Sequence, residues 1–343
     1  MKTKIQDMTS GSPGRLIILF AIPLMLGNIC QQLYTMVDTM VVGQVAGVEA
    51  LAALGAVDFL MWVVTGISTG LTQGFSIQLS QYYGAKDFEN LRKSLAHSYR
   101  LTAFIAAGVL ILSQSFASLV LTGLHTPSNI IGMSLLYLRI IFCGIPATAA
   151  YNMFASALRA MGNSKTPLTA MIIASVLNVS LDILFVAGFG WGVAGAAIAT
   201  VIAQSFSAVY CFLILRRIDI VHLTRADFMP ASGMNARLMK LGIPVVFQNI
   251  IIGVGGLVVQ YVINGYGFLF VAGFTATNKL YGLLEMAAIS YGYAIVTYVG
   301  QNLGAGKIDR IRKGVRSSML LSLLTSLIIS AAMFLFGKNI LSL

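Results

Sequence analysis

Two segments of this chain carry one pattern in the same register, and that repeat limits the possible folds more than any other feature. The first reads Gln81-Tyr82-Tyr83-Gly84-Ala85-Lys86-Asp87 and continues to Leu91-Arg92-Lys93. The second reads Gln301-Asn302-Leu303-Gly304-Ala305-Gly306-Lys307 and continues to Ile311-Arg312-Lys313. At the same offset Ala52 pairs with Ala272 and Ala56 with Ala276. One residue of slippage further back aligns Ile22-Pro23 with Ile243-Pro244, and Asn28 with Asn249. Each copy lies between long apolar runs. The chain is therefore read as a tandem duplication of a helical membrane unit, an arrangement that places a binding site where the halves meet.

The medium follows from composition. Only 10% of the residues are charged, 57% are hydrophobic and the mean hydropathy is +0.86, a balance that excludes a soluble domain. Apolar runs at 16–42, 51–75, 95–119, 129–153, 168–188, 193–215, 240–263, 269–293 and 316–337 are each long enough to cross roughly 30 Å of hydrocarbon as a helix. Strands of alternating polarity are missing, which excludes a β-barrel. The expected fold is an all-α integral membrane bundle. Residues 1–215 hold six transmembrane helices in a first lobe, 216–239 form a linker, and 240–343 hold about three helices of an incomplete second lobe. A full second lobe needs six, so the chain is read as truncated or as pairing with another copy. The stretches at 80–94 and 300–315 alternate charged and apolar residues, which predicts short amphipathic helices lying on the inner membrane surface.

A net charge of +11 raises the question of nucleic acid, and the distribution of that charge answers it. All but three of the 22 lysines and arginines fall in the N-terminal segment or in alternate inter-span segments. The intervening loops at 43–50, 120–128, 189–192 and 264–268 hold none. This is the positive-inside bias; it predicts a multi-pass protein of the cell membrane with a cytoplasmic N-terminus, and no nucleic-acid partner. Met1–Arg15 is polar and does not read as a cleavable signal. No phosphate-binding glycine loop, metal spacing or nucleophile–base set is visible, so neither an enzyme nor a cofactor is expected.

Ionisable residues inside a bilayer are costly and by default mark a path for ions or substrate. Asp38 ends a polar stripe on the first span, with Asn28, Gln32 and Thr35 at helical spacing. Asn178 and Asp182 stand one turn apart on the fifth span. Direction and depth place Thr200 on the sixth span and Tyr137 on the fourth in the same outer zone. Two carboxylates, an amide, a hydroxyl and a phenol thus share a level. Such hard oxygen ligands suit Na⁺, and a desolvated carboxylate pair suits a proton. A purely structural polar network is the alternative. Asp58, near a span end, reads equally as a cap or as functional. Arg139, on another face from Tyr137, reads as a partner for a carboxylate or as structural. Glu285 is expected to face a central cavity and attract organic cations. Local pairing with Lys279, six residues away, is a poor helical spacing for the bland explanation.

These residues resemble a known family, the multidrug and toxic compound extrusion (MATE) transporters of the multidrug/oligosaccharide-lipid/polysaccharide flippase superfamily. The resemblance is carried by Leu19-Phe20-Ala21-Ile22-Pro23, by Val37-Asp38 with Val42-Gly43, and by the two Gln-x-x-Gly-Ala segments. It is carried further by Tyr137-Leu138-Arg139 with Gly144-Ile145-Pro146, by Arg159-Ala160-Met161-Gly162-Asn163-Ser164 before Pro167, and by Asn178-Val179-Ser180-Leu181-Asp182. It implies two six-helix bundles that rock between outward- and inward-open states. It also implies export of amphipathic, often cationic small molecules in exchange for H⁺ or Na⁺, with the cation held at positions matching Asp38, Asn178, Asp182 and Thr200 beside Tyr137. Gln32, Arg139 and Glu285 are candidates for the substrate cavity. The seventh span departs from some relatives in offering Gln248, Asn249 and Gln260 but no carboxylate, which favours coupling in the first lobe. A lipid-linked oligosaccharide flippase ranks lower, because it calls for several bases in the cavity. A truncated, non-transporting membrane module is the third possibility.

Overall fold

The computed structural model describes the backbone of residues 5–124, 126–264 and 268–341. The side chains of 59, 257, 260, 261, 263, 264, 268–281, 283, 284 and 336–341 lie outside that description. Eleven α-helices follow one another: α1 (Pro13–Val41), α2 (Val48–Gly55), α3 (Asp58–Gly84), α4 (Phe88–Gly123), α5 (Ile131–Cys143), α6 (Ile145–Ala160), α7 (Lys165–Asp182), α8 (Gly192–Arg216), α9 (Met234–Asn264), α10 (Phe268–Gly304) and α11 (Ile308–Leu341). Among the described residues there is no strand. This is a multi-pass membrane protein with the two-lobe helical architecture.

Among the described residues six helices are long and apolar enough to span a membrane by themselves, and two bent pairs reach that length together. The bent pairs fall at the spans expected at 51–75 and 129–153. Between α5 and α6 the axis turns by 46°. Pro146 has no N–H to donate to the preceding turn, and Gly144 lets α8 approach. A Cβ at Gly144 would sit 2.7 Å from Val201 Cγ2. The eighth expected span, 269–293, falls within α10, mostly on side chains outside the description.

The short surface helices expected at 80–94 and 300–315 do not form. α3 runs unbroken to Gly84 and α4 starts at Phe88; α10 runs to Gly304 and α11 starts at Ile308. Each turn is closed the same way. Asp87 N–H donates to Tyr82 O (3.0 Å) and Lys86 N–H to Tyr83 O (3.1 Å); Lys307 N–H donates to Asn302 O (2.8 Å) and Gly306 N–H to Leu303 O (3.0 Å). This six-residue closure needs a left-handed residue, supplied by Lys86 (φ 57°) and Gly306 (φ 71°). Asp87 then accepts from the Asn90 N–H and caps α4. The charge alternation that looked amphipathic is turn and cap chemistry.

The two copies of the repeat meet face to face. Gly84 lies against the Gln301 backbone and Gly304 against the Gln81 backbone, so the turn regions of α3 and α10 close on each other about a local two-fold. The N-terminal segment is sewn into this seam. Met8 is fully buried; its N–H donates to Gln301 Oε1 (3.0 Å), and its carbonyl accepts from Asn302 Nδ2 (2.9 Å). Gln301 Nε2 donates in turn to Ala160 O (2.8 Å), and Arg310 Nη1 to Gly11 O (2.9 Å). Above the seam Phe20 and Ala21 of α1 pack on Tyr291, Ala294 and Tyr298 of α10.

The segment between α8 and α9 is also docked. Thr224 and Asp227 form a capping box, Arg92 of α4 lies 3.7 Å from Asp227, and Arg100 Nη1 donates to Phe228 O (2.9 Å). The N-terminus, the linker and both of these tight turns therefore gather at one end, which also carries most of the basic residues.

Candidate cation site

The opposite end of the first lobe has the reverse character. α1 brings Asp38, α5 brings Tyr137, α7 brings Asn178 and Asp182, and α8 brings Thr200. Asn178 and Asp182 are completely buried, and Asp38 and Tyr137 are 6% and 5% exposed. The structure thus collects all five candidates in one region. Asn178 Nδ2 lies 3.4 Å from Thr200 Oγ1, the one direct contact recorded within the set.

Their remaining polar atoms define the site. Asp38 Oδ1, Asn178 Oδ1, both carboxylate oxygens of Asp182 and Gln204 Oε1 are buried acceptors without a donor. Buried polar groups are normally satisfied, because removing an unpaired one from water costs about 1–3 kcal/mol, and more when it is charged. Five such oxygens together are electron-rich and call for a positive counterpart. No side chain provides it: among the described residues the only ion pairs are Arg92–Asp227 and Lys93–Glu89, both at the basic end. Arg139 is exposed on another face of α5 and pairs with neither carboxylate. Two carboxylates with neutral amide, hydroxyl and phenol oxygens suit a proton or a small hard cation. Among the described residues no cluster of three His, Cys, Asp or Glu exists to hold a transition metal.

A cavity of about 180 Å³ reaches the site, walled by Tyr34, Asp38, Asp58, Tyr137 and Thr200 among others. Local backbone geometry shapes it. Both α1 and α7 pass into π-helical turns just after their carboxylates, at Val42–Ala46 and Ile183–Gly188. The wider turn redirects each helix end, a distortion often found at functional sites. Around the site Val42, Leu138, Phe142 and Val186 are buried in one apolar cluster with Tyr137.

Sequence reasoning missed Tyr34, Gln204 and the part played by Asp58. Tyr34 stands one turn before Asp38, and Gln204 one turn after Thr200, so helical spacing from a known member would have found both. The polar stripe of α1 is divided. Its lower end, Asn28, donates Nδ2 to Ser290 Oγ of α10 (3.1 Å), while its upper end reaches the cavity. Gln32 is half-buried between them and does not line the cavity. Glu285 is exposed on α10, away from the site; its suggested pairing with Lys279 lies outside the described residues, as does Gln260. Asn249 of α9 donates to Gly66 O (3.1 Å) and joins the lobes.

The MatE family model matches residues 23–184 and 244–343. The chain is 32% identical over 308 residues to the probable multidrug resistance protein YpnP of Bacillus subtilis (strain 168), covering 90% of this chain and 69% of that protein. It is 28% identical to the probable multidrug resistance protein YoeA of the same organism, covering 98% of this chain and 75% of the relative. Among solved structures, a MOP superfamily transporter from Pyrococcus furiosus, described as having a binding pocket of reversed polarity, superposes with a TM-score of 0.92 at 23% identity over 99% of this chain and 75% of that one. A structure described as the outward-facing conformation of a multidrug resistance MATE family transporter gives the same TM-score and covers 76% of that chain. With more than half its length matched by the family model, this chain belongs to the MatE family.

Proposed function

We propose that this chain is a cation-coupled antiporter that exports amphipathic, often cationic small molecules across the cell membrane in exchange for H⁺ or Na⁺. The coupling ion binds at Asp38, Asn178, Asp182 and Thr200 beside Tyr137. The observation that carries this reading is the group of buried, unpartnered oxygens at that site. Two desolvated carboxylates with no basic neighbour need a counter-charge, so their occupancy responds to the ion gradient. The positive-inside bias supports a cytoplasmic basic end. With that end sealed and the cavity lying opposite, the arrangement corresponds to an outward-facing state. The multidrug names of the relatives support the substrate class. Glu285 remains a candidate for selecting cationic cargo, with Gln32 and Arg139 as weaker ones. The test is ion-driven efflux of an organic cation dye from proteoliposomes. Asp182→Asn keeps the shape and removes the charge, so it abolishes exchange while leaving insertion intact. The Asp38→Asn/Asp182→Asn double variant is little worse than either single one, as for residues acting as a unit. Undiminished ion-driven efflux from Asp182→Asn would refute the reading.

A further inference from the structure

We propose that Asp58 is a steering residue for the coupling cation. Its exposed charge at the mouth of the Asp38 cavity raises the local concentration of H⁺ or Na⁺ and so speeds loading of the buried site. The inference rests on the coupling-site reading and adds an entrance to it.

Asp58 is the first residue of α3, at the bend where α2 meets α3, and its carboxylate lines the same cavity as Asp38, Tyr34, Tyr137 and Thr200. It differs from the two site carboxylates in one respect: Asp38 and Asp182 are buried, whereas Asp58 is exposed. The cavity therefore has an acid in contact with solvent and an acid in its interior. The ordinary explanation for an acid here is helix capping. Val57 holds the cap position of α3, however, and no side-chain cap bond is formed there. Nor does Asp58 form an ion pair among the described residues. Its charge sits in the first turn of α3, where it complements the helix N-terminus, and it also lines the cavity.

The surroundings reinforce that charge. α1 presents Tyr34 and Asp38, α5 presents Tyr137 with Arg139 turned away, α7 presents Asp182, and α8 presents the neutral Thr200 and Gln204. Glu49 of α2 accepts from Asn129 Nδ2 (3.2 Å), away from the cavity wall. Every charged group lining the cavity is thus acidic. The unpartnered Asp38 Oδ1, on a residue more than nine-tenths buried, shows independently that the cavity leads to a place for a cation. Clefts lined by one sign of charge focus the field and accelerate entry of the opposite ion.

The test uses the purified full chain in detergent micelles, with Na⁺ and H⁺ as separate probes. The readouts are ²²Na⁺ binding and stopped-flow proton uptake, each at low and high choline chloride. Asp58→Asn slows cation loading roughly 3- to 10-fold at low ionic strength, and the difference shrinks below about twofold when added salt screens the exposed charge. Asp58→Glu restores the wild-type rate. Equal loading by Asp58→Asn and wild type at low ionic strength overturns the inference. So does a loss that added salt leaves unchanged, which would indicate packing. Asp182→Asn separates the two readings. If it abolishes binding while Asp58→Asn loads normally, only the steering role fails. If Asp182→Asn retains saturable binding, or the wild type shows none for either ion, the coupling-site reading fails and the steering role with it.

Discussion

Gly84→Ala and Gly304→Ala should each force the basic-end seam apart. At Gly84 a Cβ would overlap the Gln301 carbonyl oxygen and come to 2.5 Å from its Cα and 2.6 Å from its carbonyl carbon. At Gly304 it would overlap the Gln81 oxygen and lie 2.8 Å from that residue's carbonyl carbon. Carbon atoms pack at about 3.5–4.0 Å, so the α3 and α10 ends must separate by roughly 1 Å at the point of contact. The obstructing atoms are backbone, which no rotamer change can move. Overpacking of this kind costs about 1–3 kcal/mol. The cost falls only on the arrangement in which the two ends touch, so the equilibrium shifts toward separation by roughly 5- to 150-fold. Gly108 is the control: nothing lies within 4 Å of its Cβ position, and Gly108→Ala improves helix propensity by up to about 1 kcal/mol without touching the seam. The reporter is Ala294→Cys, fully buried between the lobes, in a background lacking Cys30, Cys143 and Cys211. Its labelling rate by a thiol reagent in membranes should rise in both seam variants and stay at the parent rate with Gly108→Ala. If Gly84→Ala and Gly304→Ala label no faster than Gly108→Ala, the seam is not a closed contact between moving ends.

Asn302→Ala removes a fully buried amide that donates to Met8 O and Tyr298 O (2.9 and 2.8 Å) and accepts from Arg310 Nε (2.9 Å). Leaving those partners unsatisfied should cost about 1–3 kcal/mol, read as a lower melting temperature in detergent; Lys93→Ala, which breaks an exposed pair on one helix, should leave that temperature unchanged. Topology is checked with single cysteines at Ser232 and Ser128, both exposed: an impermeant thiol reagent applied to intact cells should label the Ser128 site and spare Ser232, and the reverse pattern would invert the proposed orientation. Glu285→Gln should weaken binding of an organic cation several-fold and leave a neutral ligand of similar size nearly unaffected; equal losses would indicate packing instead.

Much of the fold was legible because helical membrane proteins write it in local terms. The apolar runs gave the helices, and the offset between Gln81 and Gln301 gave the duplication. The coming together of Asp38, Asn178 and Asp182 with Thr200 and Tyr137 followed from depth and helix face. Features that depend on closure over distance were not legible. Nothing local to Gly84 or Gly304 announces that each takes the other copy's backbone. The run from Lys86 to Lys93 has an amphipathic pattern, and only the left-handed Lys86 and the Asp87 cap reveal a tight turn. The bend at Gly144 was foreshadowed by Pro146, but the bend at Ala56 and Val57 has no proline to mark it. Arg139 and Glu285 were hardest to place: depth was readable for both, while the direction each faces depends on neighbouring helices.

α1 is the element that makes the two ends of the molecule one system. Its N-terminal flank carries Met8 into the Gln301 and Asn302 bonds of the seam. Its middle carries Asn28 to Ser290 across the lobes, and its far end carries Asp38 to the cation site. These attachments lie along 29 helical residues and their immediate flank, so a displacement of Asp38 reaches the seam through backbone hydrogen bonds rather than through a chain of loose contacts. Coupling between sites needs an element with two arrangements that both sites bias. The seam supplies the alternative arrangement, because its contacts are backbone against backbone and are either made or broken. A cation at Asp38 and Asp182 would neutralise the charges that shape the far end of α1, and α7 shares that change through its matching π-turn. Reciprocity then sets a strict condition: whatever ion binding does to the seam, opening the seam must do to ion affinity by the same factor. The seam variants at Gly84 and Gly304 should therefore shift cation affinity even though neither residue lies near the site. Unchanged affinity in a variant whose seam has opened would uncouple α1 from the exchange cycle.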